Sequence, residues 1–336
     1  MFIETTSRRT LLKQIGRTVS AITLPISSQE LIKFNSMHDN SQFEVIIIGG
    51  SYAGLSAAMT LGRSLKKVLV IDSGKPCNRF TPHAHNFITQ DGKKPAEISA
   101  LARQQVAQYD TVSFHNDLAT QGAKTEYGFE IQTNLGQTFT AQKLLFATGI
   151  KDILPDIDGF TECWGKTVIH CPYCHGYEVR GRKTGIFVND ESAVDFYKLI
   201  SNWTDSITIL TNGKATFDQA ELQEREIPVI ENTVTYLEHE EGSLKKIVLD
   251  SGQTHALDAL YFRPPFVQHC AIPQQLGCTI NESGHIEVDD FQKTSLPGVF
   301  AAGDCTTPFR SLAIASAQGN KAAAMLNHEL IMGEHA

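Results

Sequence analysis

No apolar run in this 336-residue chain approaches the roughly 20 residues that cross a bilayer, so the sequence offers no spanning helix. Positive charge is short as well: 29 Lys and Arg stand against 37 Asp and Glu, a net of −8. General nucleic-acid binding needs clustered cations over phosphates, and an acidic chain is poorly suited to it. Cysteine is sparse, seven in all. Seven are too few for a disulfide-stapled scaffold of this length, which draws attention to any pair at a special spacing. What remains is ordinary: 41% hydrophobic and 20% charged residues, the balance of a globular chain. At about 150 residues per domain, the length suggests two domains.

Residues 1–40 differ from the rest. Arg8, Arg9, Lys13, Arg17 and Lys33 face only Glu4, Glu30 and Asp39, so this segment is net +2 and the remainder −10. Ser7-Arg8-Arg9-Thr10-Leu11-Leu12-Lys13 resembles a twin-arginine export signal. Arg17 and Pro25 interrupt the apolar stretch behind it, and no A-x-A cleavage site follows. The segment reads as a leader or flexible extension, with Met37 as an alternative initiator. The expected location is the cytoplasm, and the alternative is the periplasm after twin-arginine export.

Val45-Ile46-Ile47-Ile48 is short, apolar and β-branched, the pattern of a strand buried on both faces. Gly49-Gly50-Ser51-Tyr52-Ala53-Gly54 follows at once, then a helical run of small and apolar residues over 53–65. A second strand, Lys67-Val68-Leu69-Val70-Ile71, ends on Asp72. This is a dinucleotide-binding fingerprint in its strand–turn–helix–strand setting. Gly49 permits the tight turn, Gly54 permits close helix packing, and the helix start offers free N–H groups to a pyrophosphate. Asp72, 23 residues after Gly49, is spaced to bond a ribose hydroxyl. Ser51 replaces the second glycine but is small enough for the backbone to approach phosphate.

Cys171-Pro172-Tyr173-Cys174 is the one close cysteine pair. Taken alone, the spacing fits a redox disulfide, half of a zinc site, or an inert local disulfide. Cys77, Cys163, Cys270, Cys278 and Cys305 supply no second pair for zinc, and no metal is expected. A redox role is the preferred reading. Cys305 reads as a buried inert thiol. His170 fits either a satisfied strand histidine or a catalytic one.

Two later segments, Lys143-Leu144-Leu145-Phe146-Ala147-Thr148-Gly149 and Gly298-Val299-Phe300-Ala301-Ala302-Gly303-Asp304, resemble the flavin-binding segments of flavoprotein disulfide reductases with two dinucleotide-binding domains. The redox stretch Cys171-Pro172-Tyr173-Cys174-His175-Gly176-Tyr177-Glu178 is similar to that of low-molecular-weight thioredoxin reductases. It is closer still to their relatives acting on dithiols in gliotoxin and holomycin biosynthesis. The resemblance spans residues 43–330. It implies an α/β fold with two Rossmann-like domains: an FAD domain at 41–157 and 286–336, split by an inserted pyridine-nucleotide-like domain at 158–285 that carries the redox pair. It implies FAD, with Asp304 on the ribityl chain, Arg310-Ser311-Leu312-Ala313 against the isoalloxazine, and Asn86 as a further contact. It also implies that Cys174 faces the flavin, that Cys171 exchanges with substrate, and that His175 manages the proton where thioredoxin reductases place an Asp. A homodimer is implied as well.

The pattern departs from a standard thioredoxin reductase at the second nucleotide site. After Thr184-Gly185-Ile186-Phe187-Val188 stands Asn189-Asp190-Glu191-Ser192-Ala193, without glycine and with two acids at the phosphate position. After Ser206-Ile207-Thr208-Ile209-Leu210, where the family carries arginines for NADPH, only Lys214 is basic. The expectation is an FAD-dependent dithiol/disulfide oxidoreductase with weak or no NADPH use. Its partner is a thioredoxin-like protein or a small molecule bearing a dithiol or disulfide. The alternatives are an NADPH-dependent thioredoxin reductase with a divergent site, and a non-catalytic flavin redox sensor.

Overall fold

The computed structural model describes residues 41–334, and the leader expected at residues 1–40 lies outside them. The apolar runs become strands where the sequence placed them. β1 (Gln42–Ile48), β2 (Val68–Ile71) and β3 (Val112–His115) lie parallel, and a meander of β4 (Ala119–Thr125), β5 (Gly128–Thr133) and β6 (Thr138–Phe146) follows. The order is β3-β2-β1-β6-β5-β4, with β6 parallel to β1 and antiparallel to β5. β1 is apolar throughout because both of its faces are covered. Val45 and Ile47 join a core with α1 (Tyr52–Arg63), while Ile46 and Ile48 join a second core on the other face. α1 stops two residues short of the expected end, with Ser64 as C-cap and Leu65 in the left-handed region at φ 61°.

α2 (Pro95–Val106) follows β2, and a three-residue gap after β6 leads to β7 (Ile150–Asp152). The chain then builds a second sheet. β8 (Val168–Ile169), β9 (Thr184–Phe187), β10 (Ile207–Leu210), β11 (Val229–Ile230) and β15 (Ala259–Phe262) are parallel in the order β11-β10-β9-β15-β8. One face carries Ile186 and Tyr261 into a core with Phe196 and Ile200 of the helix after β9. The other carries Phe187 and Leu260 toward an antiparallel layer of β12 (Val234–Glu240), β13 (Ser243–Leu249) and β14 (Thr254–Ala256). A helix layer, a parallel sheet and a β layer are thus stacked, a Rossmann-like α/β arrangement.

β16 (Phe266–Gln268) pairs antiparallel with β7, so the outgoing and returning chain run side by side. Ile272 and Cys278, which the sequence reading assigned to the inserted segment, pack in a core of the first sheet with Phe43 and Ile46. β17 (Val299–Ala301) completes the first sheet alongside β6, and a long final helix spans Leu312–Glu334. Among the described residues no helix is long and apolar enough to cross a membrane.

Candidate active site

Sharp turns at the carboxyl ends of β1, β6 and β17 open one cavity of about 730 Å³. Gly49 sits at φ 105°, and a Cβ there would overlap the Ala147 carbonyl. A Cβ on Gly50 would lie 2.8 Å from the Asp72 Cβ, so the turn brings the carboxylate beside the glycines. Ser51 is the N-cap of α1 and makes no side-chain cap bond. Gly49, Ser51, Tyr52 and Ala53 line the cavity together with Asp72. Gly54 does not; a Cβ on it would overlap the Gly49 carbonyl, so its work is close packing behind the turn.

The opposite side comes from far along the chain. Thr148 and Gly149 follow β6, Gly303 and Asp304 follow β17, and Arg310, Ser311 and Leu312 lead into the last helix; all line the cavity, as does Asn86. Ala313 is not among the lining residues. Gly303 donates its N–H to Gln318 Oε1 at 2.7 Å, which pins the turn to the helix. Arg310 forms a two-pronged pair with Asp152, 2.8 and 3.0 Å, and its Nε lies 3.7 Å from Asp304 Oδ2. Burial pushes the Asp304 carboxyl up, and the Arg310 charge opposes it.

No motif marks Asp152, Gln318 or Cys77 as part of this site. The Cys77 thiol lies 3.5 Å from Asp304 Oδ2, and burial beside that carboxyl pushes its pKa up to about 12. It therefore stays protonated and can donate. Cys305 is fully buried, donates toward the Ala302 carbonyl at 3.3 Å, and is pushed by burial up to about 11.

The redox segment forms the remaining wall. Cys171 and Cys174 are joined as a disulfide with Cα atoms 5.3 Å apart. Cys171 caps the short helix Pro172–His175, and its sulfur accepts the Cys174 N–H at 3.2 Å. Cys174 and His175 line the cavity; Cys171 does not. Burial lowers the His175 pKa, and Glu178 works in the opposite sense. His170 also lines the cavity; burial drives its pKa down to about 3, so its ring is neutral at physiological pH. Among the described residues no group of three His, Cys, Asp or Glu side chains is arranged to hold a metal.

Asn78 Oδ1, Thr148 Oγ1, His170 Nε2 and Arg310 Nε are buried, line this cavity, and find no hydrogen-bond partner in the protein. Unsatisfied polar atoms of this kind are costly unless a ligand meets them. A long ligand with an apolar ring system and several donors and acceptors fits that need, and a flavin dinucleotide is such a ligand.

At the corresponding turn of the second sheet side chains bond across the turn and to its backbone. Asn189 Nδ2 donates to the Lys214 carbonyl at 3.0 Å, and Asn189 Oδ1 accepts the Thr216 N–H at 2.8 Å. Asp190 Oδ1 accepts the Ser192 N–H at 2.8 Å, just ahead of the helix Ala193–Ile200.

Two Rossmann-like sheets, a cavity at the glycine turns with unpartnered polar atoms in a mainly apolar lining, and a disulfide on its wall define a flavoprotein-type disulfide oxidoreductase, an enzyme class. The chain belongs to the pyridine nucleotide-disulphide oxidoreductase family, whose model matches residues 43–188 and 209–319. Within it the chain resembles the thioredoxin reductases. It is 30% identical to thioredoxin reductase sirT of Leptosphaeria maculans, over 87% of this chain and 95% of that protein. The crystal structure of HlmI is 31% identical with a TM-score of 0.83, covering 88% of this chain and 95% of that one. An oxidoreductase from Agrobacterium tumefaciens is 36% identical with a TM-score of 0.80, covering 87% and 99%.

Proposed function

We propose that this chain is an FAD-dependent dithiol/disulfide oxidoreductase that makes little or no use of NADPH. The observation that carries the second half is the side-chain hydrogen bonding at the turn of the second sheet. Asn189 spans the turn to Lys214 and Thr216, and Asp190 already holds an N–H at the head of the helix. A pyrophosphate placed there would meet a carboxylate where it needs free N–H donors. The names of the thioredoxin reductase relatives favour the second reading, NADPH-dependent reduction of a thioredoxin-like disulfide.

The residues at the cavity divide the chemistry. Gly49, Ser51, Asp72, Asn86, Thr148, Gly149 and Asp304 would hold the FAD, which when bound supplies a two-electron acceptor or donor. In dithiol oxidation, a substrate thiolate attacks Cys171 Sγ, the Cys171–Cys174 bond breaks, and Cys174 leaves as a thiolate. The second substrate thiol then displaces Cys171 from the mixed disulfide. Substrate leaves as a disulfide, and the protein pair has gained its two electrons. Of the two substrate protons, one goes to His175 and the other to Cys171. The lowered His175 pKa keeps the imidazole neutral and able to accept that proton near neutrality. The placement of Cys174 on the cavity and Cys171 off it supports this division. Tyr173 and Tyr177 beside the pair are each 66% exposed, and both cysteines are half-buried.

The same reading assigns the first sheet and the final helix to an FAD-binding domain, and the second sheet with its β layer to an inserted domain. It places the protein in the cytoplasm as a homodimer. Anaerobic titration at the flavin absorption band tests it. Dithiothreitol should bleach the band and stoichiometric NADPH should leave it. Bleaching by NADPH would hand the chain to the thioredoxin reductase reading, and bleaching by neither would leave a redox-silent flavoprotein.

A further inference from the structure

An acid–base cluster stands beside the redox segment, on the loop that carries Asn86. A bridge between Ala84 and Lys93 closes that loop, and Asp91 Oδ1 accepts the Asn86 N–H at 2.8 Å. His85 is held between two carboxylates. Its Nδ1 lies 3.5 Å from Asp91 Oδ1 and its Nε2 lies 3.6 Å from Glu178 Oε1. Its ring stands edge-on to the His175 ring, with centroids 6.3 Å apart. Both rings line the cavity.

Glu178 follows the redox helix, while His85 and Asp91 come from the first sheet's side of the cavity. The contact therefore ties the redox segment to the opposite wall three residues after His175. The other titratable groups facing this cluster are few. His83 lies 6.5 Å from His85, His170 is buried and neutral next to His175, and Glu178 acts on the buried Tyr261 hydroxyl. Cys174 adjoins His175 in the chain.

We propose that His85 and Glu178 are positioning residues that set the proton affinity of His175, Glu178 favouring the imidazolium and His85 competing for the Glu178 carboxylate. This rests on the assignment of His175 as the proton acceptor of the Cys171–Cys174 pair. The signs follow from the charges around His175. Neutralising Glu178 removes the one negative charge acting on His175, so the ring holds its proton only at lower pH. Replacing His85 with glutamine leaves Glu178 unopposed, so the ring holds its proton to higher pH. A merely structural role would move both variants the same way or not at all.

The test is a histidine-ring NMR titration of the flavin-loaded oxidised protein, with the His175 signal assigned from His175→Gln. Glu178→Gln should lower the His175 midpoint by about half a pH unit, and His85→Gln should raise it by about as much. The double variant should return close to wild type. Midpoints that stay put, or that shift in one direction in both single variants, overturn the proposal. The anaerobic rate of flavin bleaching by dithiothreitol is measured across the same pH range. Its acid limb should follow the shifted midpoints. Midpoints that move while the limb does not would uphold the electrostatic coupling and overturn the role of His175 in the proposed chemistry.

Discussion

Arg310 illustrates how a residue's neighbours can outrank its motif. The resemblance put it against the flavin ring, yet its guanidinium is spent first on Asp152 at 2.8 and 3.0 Å and only then on Asp304 at 3.7 Å. Its side chain is 14% exposed and that of Asp152 10%, so neither charge is solvated. Buried pairs contribute little over an apolar substitute, but removing one partner strands the other. Arg310→Ala should therefore cost about 3–5 kcal/mol in urea unfolding of the protein. Adding Asp152→Asn should recover a large part of that loss, because the orphaned carboxylate is the source of it. A double variant as unstable as the single one would refute this account. Sequence reading could not find Asp152, which lies 158 positions from its partner and belongs to no motif.

The elements were more legible than the contacts between them. Val45–Ile48, the glycine turn and Asp72 were readable because strand, turn and helix are consecutive, and local rules link them. Cys171 and Cys174 were readable for the same reason. The packing of α1 on the last helix was not. Gly319 lies so close to Ala53 that a Cβ on it would overlap the Ala53 carbonyl, and nothing local marks that glycine. The return of the chain at Ile272 was missed because an apolar residue in a loop does not declare which core it enters. Near its far end the last helix is anchored by Glu329, which meets Lys143 of β6 at 2.9 Å and Lys293 at 2.8 Å. Burial resists ionisation of Glu329, yet the two lysines hold its pKa below the ordinary 4.5. A depressed carboxyl contributes its stability above the unfolded value and loses it as pH falls through the folded one. Glu329→Gln should thus lose about 1 kcal/mol at neutral pH. Below 4.5 its thermal midpoint should converge on that of wild type. A gap that persists unchanged in acid would assign the loss to packing instead.

At the scale of the molecule, two sheets with separate cores meet around one cavity and are joined by the short ribbon of β7 and β16. The cavity draws Gly49 and Thr148 from the first sheet, and Trp164, Val168, His170 and Cys174 from the second segment. A ligand bound there is held by both, so its binding energy stabilises both at once. At a thousandfold excess over its Kd a ligand adds about 4 kcal/mol to the folded state. Removing flavin should therefore loosen more than the glycine turns. Amide hydrogen exchange should quicken over residues 168–175 as well as 49–54, and the thermal midpoint should fall by several degrees. If only the first-sheet segments lose protection, flavin is held by one wall alone. The redox segment would then have to be brought to the flavin by movement of the second sheet, and the cavity as it stands would not be the arrangement in which electrons pass.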